Sequence, residues 1–200
     1  MLHPQDRMHL LDALRPPEGY ELNHAVGTTY SLDLMALLTA PIAFTFFEMQ
    51  DDVKKCDSML LLEALRKHAN RISIFCNVTS IHVPKAFNDL LNFYLEKSVF
   101  EVFIKGGSFH PKIWILRYTS SEGPIAYRLL CLSRNLTYDR SWDTSLILDG
   151  FLDEKKNVIA DNNPLGDFIA ALPDMTIRKI PIQAKEKIQV IQEEIRRVEF

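Results

Sequence analysis

The sequence has few cysteines and no pair of them at metal-binding or disulfide spacing. Its 200 residues contain three, Cys56, Cys76 and Cys131, which are far apart and form no C-x-x-C motif. A disulfide framework or a zinc site is therefore not indicated. We expect buried, reduced thiols and a cytoplasmic protein.

A hydrophobic run long enough to span a membrane is also missing. The nearest candidate, SLDLMALLTAPIAFTFF, is interrupted by Asp33 and Pro41 and fits a helix followed by a strand better. The first twenty residues lack the basic-then-apolar order of a signal peptide. The IKGGSFH stretch has two glycines but neither G-K-[ST] nor a helix after it, so a nucleotide-binding P-loop is not indicated.

Net positive charge is absent overall, yet basic residues cluster in one part of the chain. The net charge is −3. Between Lys105 and Arg140 there are six basic and two acidic residues, whereas the remainder has 17 basic and 24 acidic residues. An anionic substrate is expected to bind where the positive charge is gathered.

The composition, with 47% hydrophobic and 24% charged residues, is that of one soluble globular domain. Strand and helix patterns alternate and then give way to clustered strands, which predicts an α/β layered fold with a mixed sheet. We expect a leader at 1–19, a domain at 20–180 and an amphipathic helix at 181–200 that acts as a linker or dimer contact. Ser31 is the predicted N-cap of an early helix. The predicted strands are YELNHAVGTTY, RISIFCNV, VFEVFI, FHPKIWILRY, IAYRLLCLS and TSLILDG.

The FHPKIWI stretch places a histidine and a lysine two residues apart at the start of a predicted strand. His110 and Lys112 would project from the same face, because side chains alternate along a strand. One interpretation is a solvent-facing edge, which lysine and proline both favour. The other is a phosphate site, in which the imidazole attacks and the ammonium holds the negative charge.

A second polar pair, Ser133 and Asn135, has the same spacing at the end of the next predicted strand. If the two strands pair, imidazole, ammonium, hydroxyl and amide groups converge. Such a set of donors suits a phosphate diester, whose oxygens must be held. The alternative is an ordinary polar turn, which serine and asparagine also favour.

H-x-K followed by S-x-N resembles the signature of the phospholipase D superfamily. HPKIWI together with CLSRNLTYDRSWD is more similar to its nuclease and tyrosyl-DNA phosphodiesterase branches than to its lipases. The resemblance implies a phospholipase D-like α/β/α sandwich with a mixed central sheet. Two positions depart from the lipase pattern: Arg117 stands where it has an aspartate, and Leu132 where it has a glycine.

The resemblance also implies a mechanism that needs no metal or cofactor. His110 would be the nucleophile and form a phosphohistidine, while a second histidine would protonate the leaving oxygen. Lys112, Ser133 and Asn135 would hold the phosphate oxygens. Asp143 is the candidate carboxylate that orients a histidine, or else a surface turn residue.

The expected substrate is nucleic acid, with DNA favoured, and the expected activity is that of a nuclease. Lys105, Arg134 and Arg140 are candidate substrate-binding residues, and Tyr30 is either a base-stacking residue or a core aromatic. Phospholipid hydrolysis or transfer is an alternative in the same enzyme class. A non-catalytic nucleic-acid-binding or dimerisation module is an alternative of a different class.

Only half of the implied site is present in the sequence, because there is a single H-x-K motif. A homodimer could supply the second half. A missing C-terminal second half-site is the next possibility, and retention of the motif without turnover is the third.

Overall fold

The computed structural model describes residues 10–38, 40–41, 44, 66–83, 96–138, 143–153 and 158–200. The strands are β1 (Glu21–Thr29), β2 (Leu32–Asp33), β3 (Ile72–Asn77), β4 (Ile81–His82), β5 (Val99–Val102), β6 (Ile113–Thr119), β7 (Ala126–Leu132), β8 (Ser145–Leu152) and β9 (Val198–Glu199). The α-helices are α1 (Leu10–Leu14), α2 (Leu34–Leu37), α3 (Asn163–Ala171) and α4 (Ile182–Glu194). Short 3-10 helices occupy Ala69–Arg71, Ala160–Asn162, Leu172–Met175 and Ile195–Arg197.

Seven strands form one mixed sheet in the order β5-β3-β1-β6-β7-β8-β9. The β1, β3 and β5 strands run parallel, whereas each step from β1 through β6 to β9 is antiparallel. The carboxyl ends of β1, β3, β5 and β7 therefore meet the amino ends of β6 and β8 at one edge. We call this the site edge, and the small β2–β4 sheet lies beside it.

Apolar residues alternate across the sheet and build a core on each face. Along β6, Trp114 and Leu116 pack on the face that α1 and α2 cover, while Ile115 packs on the face that α3 and α4 cover. A Cβ atom at Gly27 would lie 2.6 Å from Ile74 Cδ1 and 3.2 Å from the Trp114 ring, so glycine lets the indole lie against β1. Two core layers on one mixed sheet confirm the predicted α/β/α sandwich.

The C-terminal helix α4 is a layer of this sandwich. An apolar stripe of the C-terminal segment is buried in the second core. It consists of Ile188 and Ile191 in α4, Ile195 in the following 3-10 helix and Val198 in β9, each 0–1% exposed. After the helix, β9 pairs with β8 in the central sheet. The stripe therefore packs inside this chain and is not a free contact surface.

A polar network fastens α4 to the sheet. Arg117 donates from Nε to Glu194 Oε2 at 2.7 Å and from its terminal nitrogen to Oε1 at 3.0 Å. The Tyr127 hydroxyl donates to Glu194 Oε2 at 2.5 Å. Arg117, which departs from the lipase-type pattern, thus lies on the face of β6 that α4 covers.

The structure corrects three details of the sequence prediction. The helix cap is Asp33, whose side chain accepts from the Met35 N–H at 2.8 Å, and not Ser31. Strand β6 begins at Ile113 and not at Phe109, because Pro111 has no N–H for the ladder. Of the described cysteines, Cys76 is buried as expected, whereas Cys131 is exposed.

Other predictions lie largely outside the described residues. The sequence predicts either a strand or the end of a helical hairpin at IAFTFFEM, and helices at DSMLLLEALRKHANR and PKAFNDLLNFYLEK, most of which fall there. Cys56 also falls there. In the part of the chain that is described, none of the helices has the length and apolar content that crossing a bilayer requires.

Candidate active site

The H-x-K segment reaches the site edge through an anchored connection from β5. A turn at 105–107 uses Gly106 in the left-handed region, at φ +76°. The Phe109 side chain is buried, and its backbone N–H donates to Asn77 Oδ1 at 2.9 Å. These two contacts fix the backbone directly before His110, whose side chain remains exposed.

His110 and Lys112 lie side by side, and their side chains are hydrogen-bonded to each other. Lys112 Nζ is 2.9 Å from His110 Nδ1 and donates to the His110 carbonyl at 3.1 Å. An ammonium can only donate, so Nδ1 accepts and a neutral ring carries its proton on Nε2. Partial burial lowers the pKa of Lys112 from its usual value.

Tyr30 links the H-x-K segment to the S-x-N segment. Its ring lies 5.1 Å from the His110 ring, centroid to centroid, with a 36° tilt. Its backbone N–H donates to Asn135 Oδ1 at 3.3 Å. With Oδ1 held in this way, the NH₂ group is the part of the Asn135 amide that can donate to a ligand.

Ser133 and Asp143 are hydrogen-bonded to each other, Ser133 directly after β7 and Asp143 two residues before β8. The Ser133 hydroxyl donates to Asp143 Oδ1 in a very short contact, and the Ser133 N–H donates to the same oxygen at 2.9 Å. Ser133 Oγ accepts from the Thr144 N–H at 3.0 Å. In this conformation the Asp143 carboxylate contacts Ser133, whereas the sequence predicted either a carboxylate that orients a histidine or a surface turn residue.

Three residues at strand ends were not predicted as part of the site. Thr28 and Thr29 close β1 and accept from the backbone N–H groups of Ile113 and Leu136, each at 3.0 Å. Asn77 closes β3 and holds the segment before His110. Their one sequence signal is a polar side chain at the end of an apolar strand, which many turns share.

The predicted substrate-binding residues occupy different places. Lys105 is exposed on the turn after β5. Arg134 is half-buried and donates to the Thr137 carbonyl at 2.8 Å. Arg140 lies outside the described residues. Within the described ranges, His, Cys, Asp and Glu side chains do not gather in threes at a possible metal position.

This arrangement can bind an anion beside the exposed imidazole of His110. An imidazole, an ammonium and an amide lie at the site edge, held by Thr28 and Thr29 at the end of β1 and by Tyr30 directly after it. All face a region that solvent reaches. Such a set is suited to phosphoryl chemistry at an exposed phosphate.

Comparison with solved structures shows which known fold carries this site. Neither a family model nor a curated relative matches the sequence. Among solved structures, the yeast tyrosyl-DNA phosphodiesterase superposes with a TM-score of 0.57 at 14% identity, over 97% of this chain and 38% of that one. The chain has the tyrosyl-DNA phosphodiesterase fold.

A variant of the same yeast enzyme, with one histidine replaced by alanine, gives a TM-score of 0.59 at 15% identity. It aligns with 99% of this chain and 39% of its own length. This chain therefore spans about two fifths of the tyrosyl-DNA phosphodiesterase chain. At this identity the likeness concerns the fold, a phospholipase D-like sandwich.

Proposed function

We propose that this chain supplies one half-site of a metal-independent phosphodiesterase that cleaves DNA. The observation that carries the proposal is the bonded His110–Lys112 pair, exposed at the site edge beside Asn135. The tyrosyl-DNA phosphodiesterase fold supports it, because the enzyme that shares this fold acts on a phosphodiester of DNA by its name.

In the first step Lys112 gives up its hydrogen bond to His110 Nδ1 and binds a phosphate oxygen of the substrate instead. A phosphate oxygen is a stronger acceptor for the ammonium than the imidazole Nδ1, because it carries negative charge. When Lys112 turns to that oxygen, the imidazole lone pair of His110 becomes available to attack phosphorus. A bond between phosphorus and the ring nitrogen forms, and the bond from phosphorus to the leaving oxygen breaks.

Electrostatic stabilisation then comes from fixed donors. The Asn135 NH₂ group and Lys112 would hold non-bridging oxygens, and each such donor contributes roughly 10²–10³-fold to the rate. The Ser133 hydroxyl can donate to a phosphate oxygen only after its hydrogen bond to Asp143 is broken. Lys105, Arg134 and Arg140 would draw the nucleic acid backbone toward the site edge.

The second half of the mechanism requires a second histidine, which protonates the leaving oxygen and then activates water. The sequence has a single H-x-K, so this group would come from a second copy of the chain or from a further half-site. We place the protein in the cytoplasm, in agreement with its free thiols at Cys76 and Cys131.

The test is cleavage of end-labelled DNA in EDTA by the wild-type chain, by His110→Ala and by His82→Ala. His82 is an exposed histidine on β4 and serves as the matched control. We expect cleavage by the wild type and by His82→Ala, and none by His110→Ala. Light scattering on the same samples identifies the assembly that is active.

Cleavage that persists in His110→Ala would remove His110 as the nucleophile. Turnover of phospholipid vesicles without cleavage of DNA would favour the lipid-hydrolase alternative. Salt-sensitive DNA binding without turnover in any assembly would make the chain a binding module.

A further inference from the structure

Two adjacent threonines close the central strand β1 and point to opposite faces of the sheet. Thr28 is 4% exposed and Thr29 is 2% exposed, so both hydroxyls are buried. The Thr28 hydroxyl accepts from the N–H of Ile113, the residue directly after Lys112. The Thr29 hydroxyl accepts from the N–H of Leu136, the residue directly after Asn135.

Thr28 and Thr29 pair with β3 through their main chain, but the main-chain pairing between β1 and β6 stops before them. The last register pair between β1 and β6 is Gly27 with Trp114, one residue short of Thr28 and Ile113. The Thr28 side chain therefore continues the ladder by one bond, up to the H-x-K motif. On its other side Lys112 is held by β7, because the Leu132 N–H donates to the Lys112 carbonyl at 2.8 Å.

Thr29 holds the S-x-N segment in the same way beyond the end of β7. Its hydroxyl donates its own proton to the Ser31 carbonyl at 2.8 Å, which orients the oxygen lone pairs toward the Leu136 N–H. The Leu136 carbonyl in turn accepts from the Asp33 N–H at 2.9 Å. The residue after Asn135 is thus held by its N–H and by its carbonyl.

We propose that Thr28 and Thr29 are positioning residues of the site, Thr28 for the H-x-K motif and Thr29 for the S-x-N motif. Each acts through the backbone of the residue that follows a phosphate-binding side chain. Because both belong to one rigid strand, they fix the distance between the two motifs. The catalytic consequence rests on the proposed function, whereas the positions of the motifs do not.

The inference predicts separable effects. Replacing Thr28 by valine keeps the shape but leaves the Ile113 N–H without its acceptor, so the H-x-K motif moves and the S-x-N motif does not. Replacing Thr29 by valine does the reverse. Thr28→Ser and Thr29→Ser retain the hydroxyl and are the rescue variants.

Ser98→Ala is the matched control for loss of a buried hydroxyl. The Ser98 hydroxyl is buried and donates to the Ala69 carbonyl at 2.6 Å, next to the amino end of β5. That end lies opposite the site edge. Ser98→Ala therefore removes the same kind of bond without touching either motif.

The first measurement is NMR of the His110 ring nitrogens and the Asn135 side-chain amide, which needs no catalysis. We expect Thr28→Val to shift the His110 signals, Thr29→Val to shift the Asn135 signals and Ser98→Ala to shift neither. Identical shifts in both valine variants, or none in either, would overturn the inference. If a valine variant does not fold, amide exchange of the wild type decides: slow exchange at Ile113 and Leu136 supports the inference, and fast exchange overturns it.

The second measurement is DNA cleavage by the active assembly. Misplacement of a catalytic group by about 1 Å costs roughly 10²-fold in rate. We expect kcat to fall by about that factor in each valine variant with little change in KM, and to recover in the serine variants. A kcat equal to that of Ser98→Ala would contradict the inference and leave the proposed function intact. A wild type that does not cleave would contradict the proposed function, while the NMR result still decides the inference.

Discussion

Two polar clusters in this protein use similar groups in opposite surroundings. Under α4, the Arg117 and Glu194 side chains are 11% and 14% exposed and are joined by two hydrogen bonds. At the site edge, His110 is exposed and Lys112 is half-buried, and their bond to each other faces solvent. The buried pair cannot exchange partners without leaving a charge stranded. The pair at the site edge can pass its ammonium to an incoming phosphate at little cost.

The difference indicates which cluster stabilises the fold and which one is accessible to a ligand. Burial makes the first cluster a fixed joint between α4 and the sheet. Access to water makes the second one adaptable. Three substitutions test this comparison, in order of decreasing effect on the free energy of unfolding.

The largest effect is expected from Glu194→Gln. The substitution leaves the Arg117 guanidinium buried without a counter-charge, which typically lowers the free energy of unfolding by about 3–5 kcal/mol. Urea unfolding at neutral pH measures the change. Glu193→Gln is the control, because Glu193 is the preceding residue of the same helix and is exposed. Equal effects of the two substitutions would show that the buried pair is not the joint we describe.

An intermediate and pH-dependent effect is expected from His68→Phe. His68 is fully buried against the Phe44 ring, at 5.6 Å between centroids, and within the described part of the chain neither of its ring nitrogens has a hydrogen-bond partner. Burial lowers the pKa of His68 from 6.5 to about 4, with smaller contributions from Arg71 and Lys67.

The sign of the pH effect follows from which state binds the proton. Below pH 6.5 the unfolded chain protonates this histidine, whereas the folded chain stays neutral down to about pH 4. The free energy of unfolding therefore falls on acidification through this window, by up to about 1.4 kcal/mol per pH unit from this residue. In His68→Phe we expect a smaller loss between pH 6.5 and 4 in unfolding experiments. An unchanged slope would contradict the assignment.

The smallest effect on stability is expected from Lys112→Met. The change removes a bond that faces solvent, so the free energy of unfolding should stay within about 0.5 kcal/mol of the wild type. Nitrogen NMR should nevertheless show that Nδ1 of His110 has lost its donor. Lys105→Met, at an exposed lysine on the neighbouring turn, should leave those signals in place. A loss of stability as large as that of Glu194→Gln would abolish the distinction between the clusters.

Local patterns in the sequence were sufficient to predict the layered fold. Alternating apolar residues predict strands such as β6 and β7. His110 and Lys112 lie side by side as their spacing predicts, although both precede β6. The choice between Ser31 and Asp33 as helix cap was not predictable, because both residue types cap helices well. The structure selects Asp33, whose backbone is fixed by the bond to Leu136.

Contacts between distant parts of the chain were not predictable from spacing. Thr28 meets Ile113 across 85 residues, and Thr29 meets Leu136 across 107 residues. No local signal specifies these pairs, since a polar residue at a strand end is equally suited to a turn. The partner of Asp143 was also missed, because proximity to Ser133 arises only when β7 and β8 pair.

The position of β1 in the sheet has a consequence for how the protein folds. This early strand lies at the centre, where it pairs Glu21 with Thr119 and Gly27 with Trp114 on one side. Pairs so distant along the chain close large loops before they gain any contact energy, which slows folding. During synthesis, β1 therefore waits with an unpaired edge until β6 has left the ribosome. The H-x-K and S-x-N motifs are both attached to β1 only after that step.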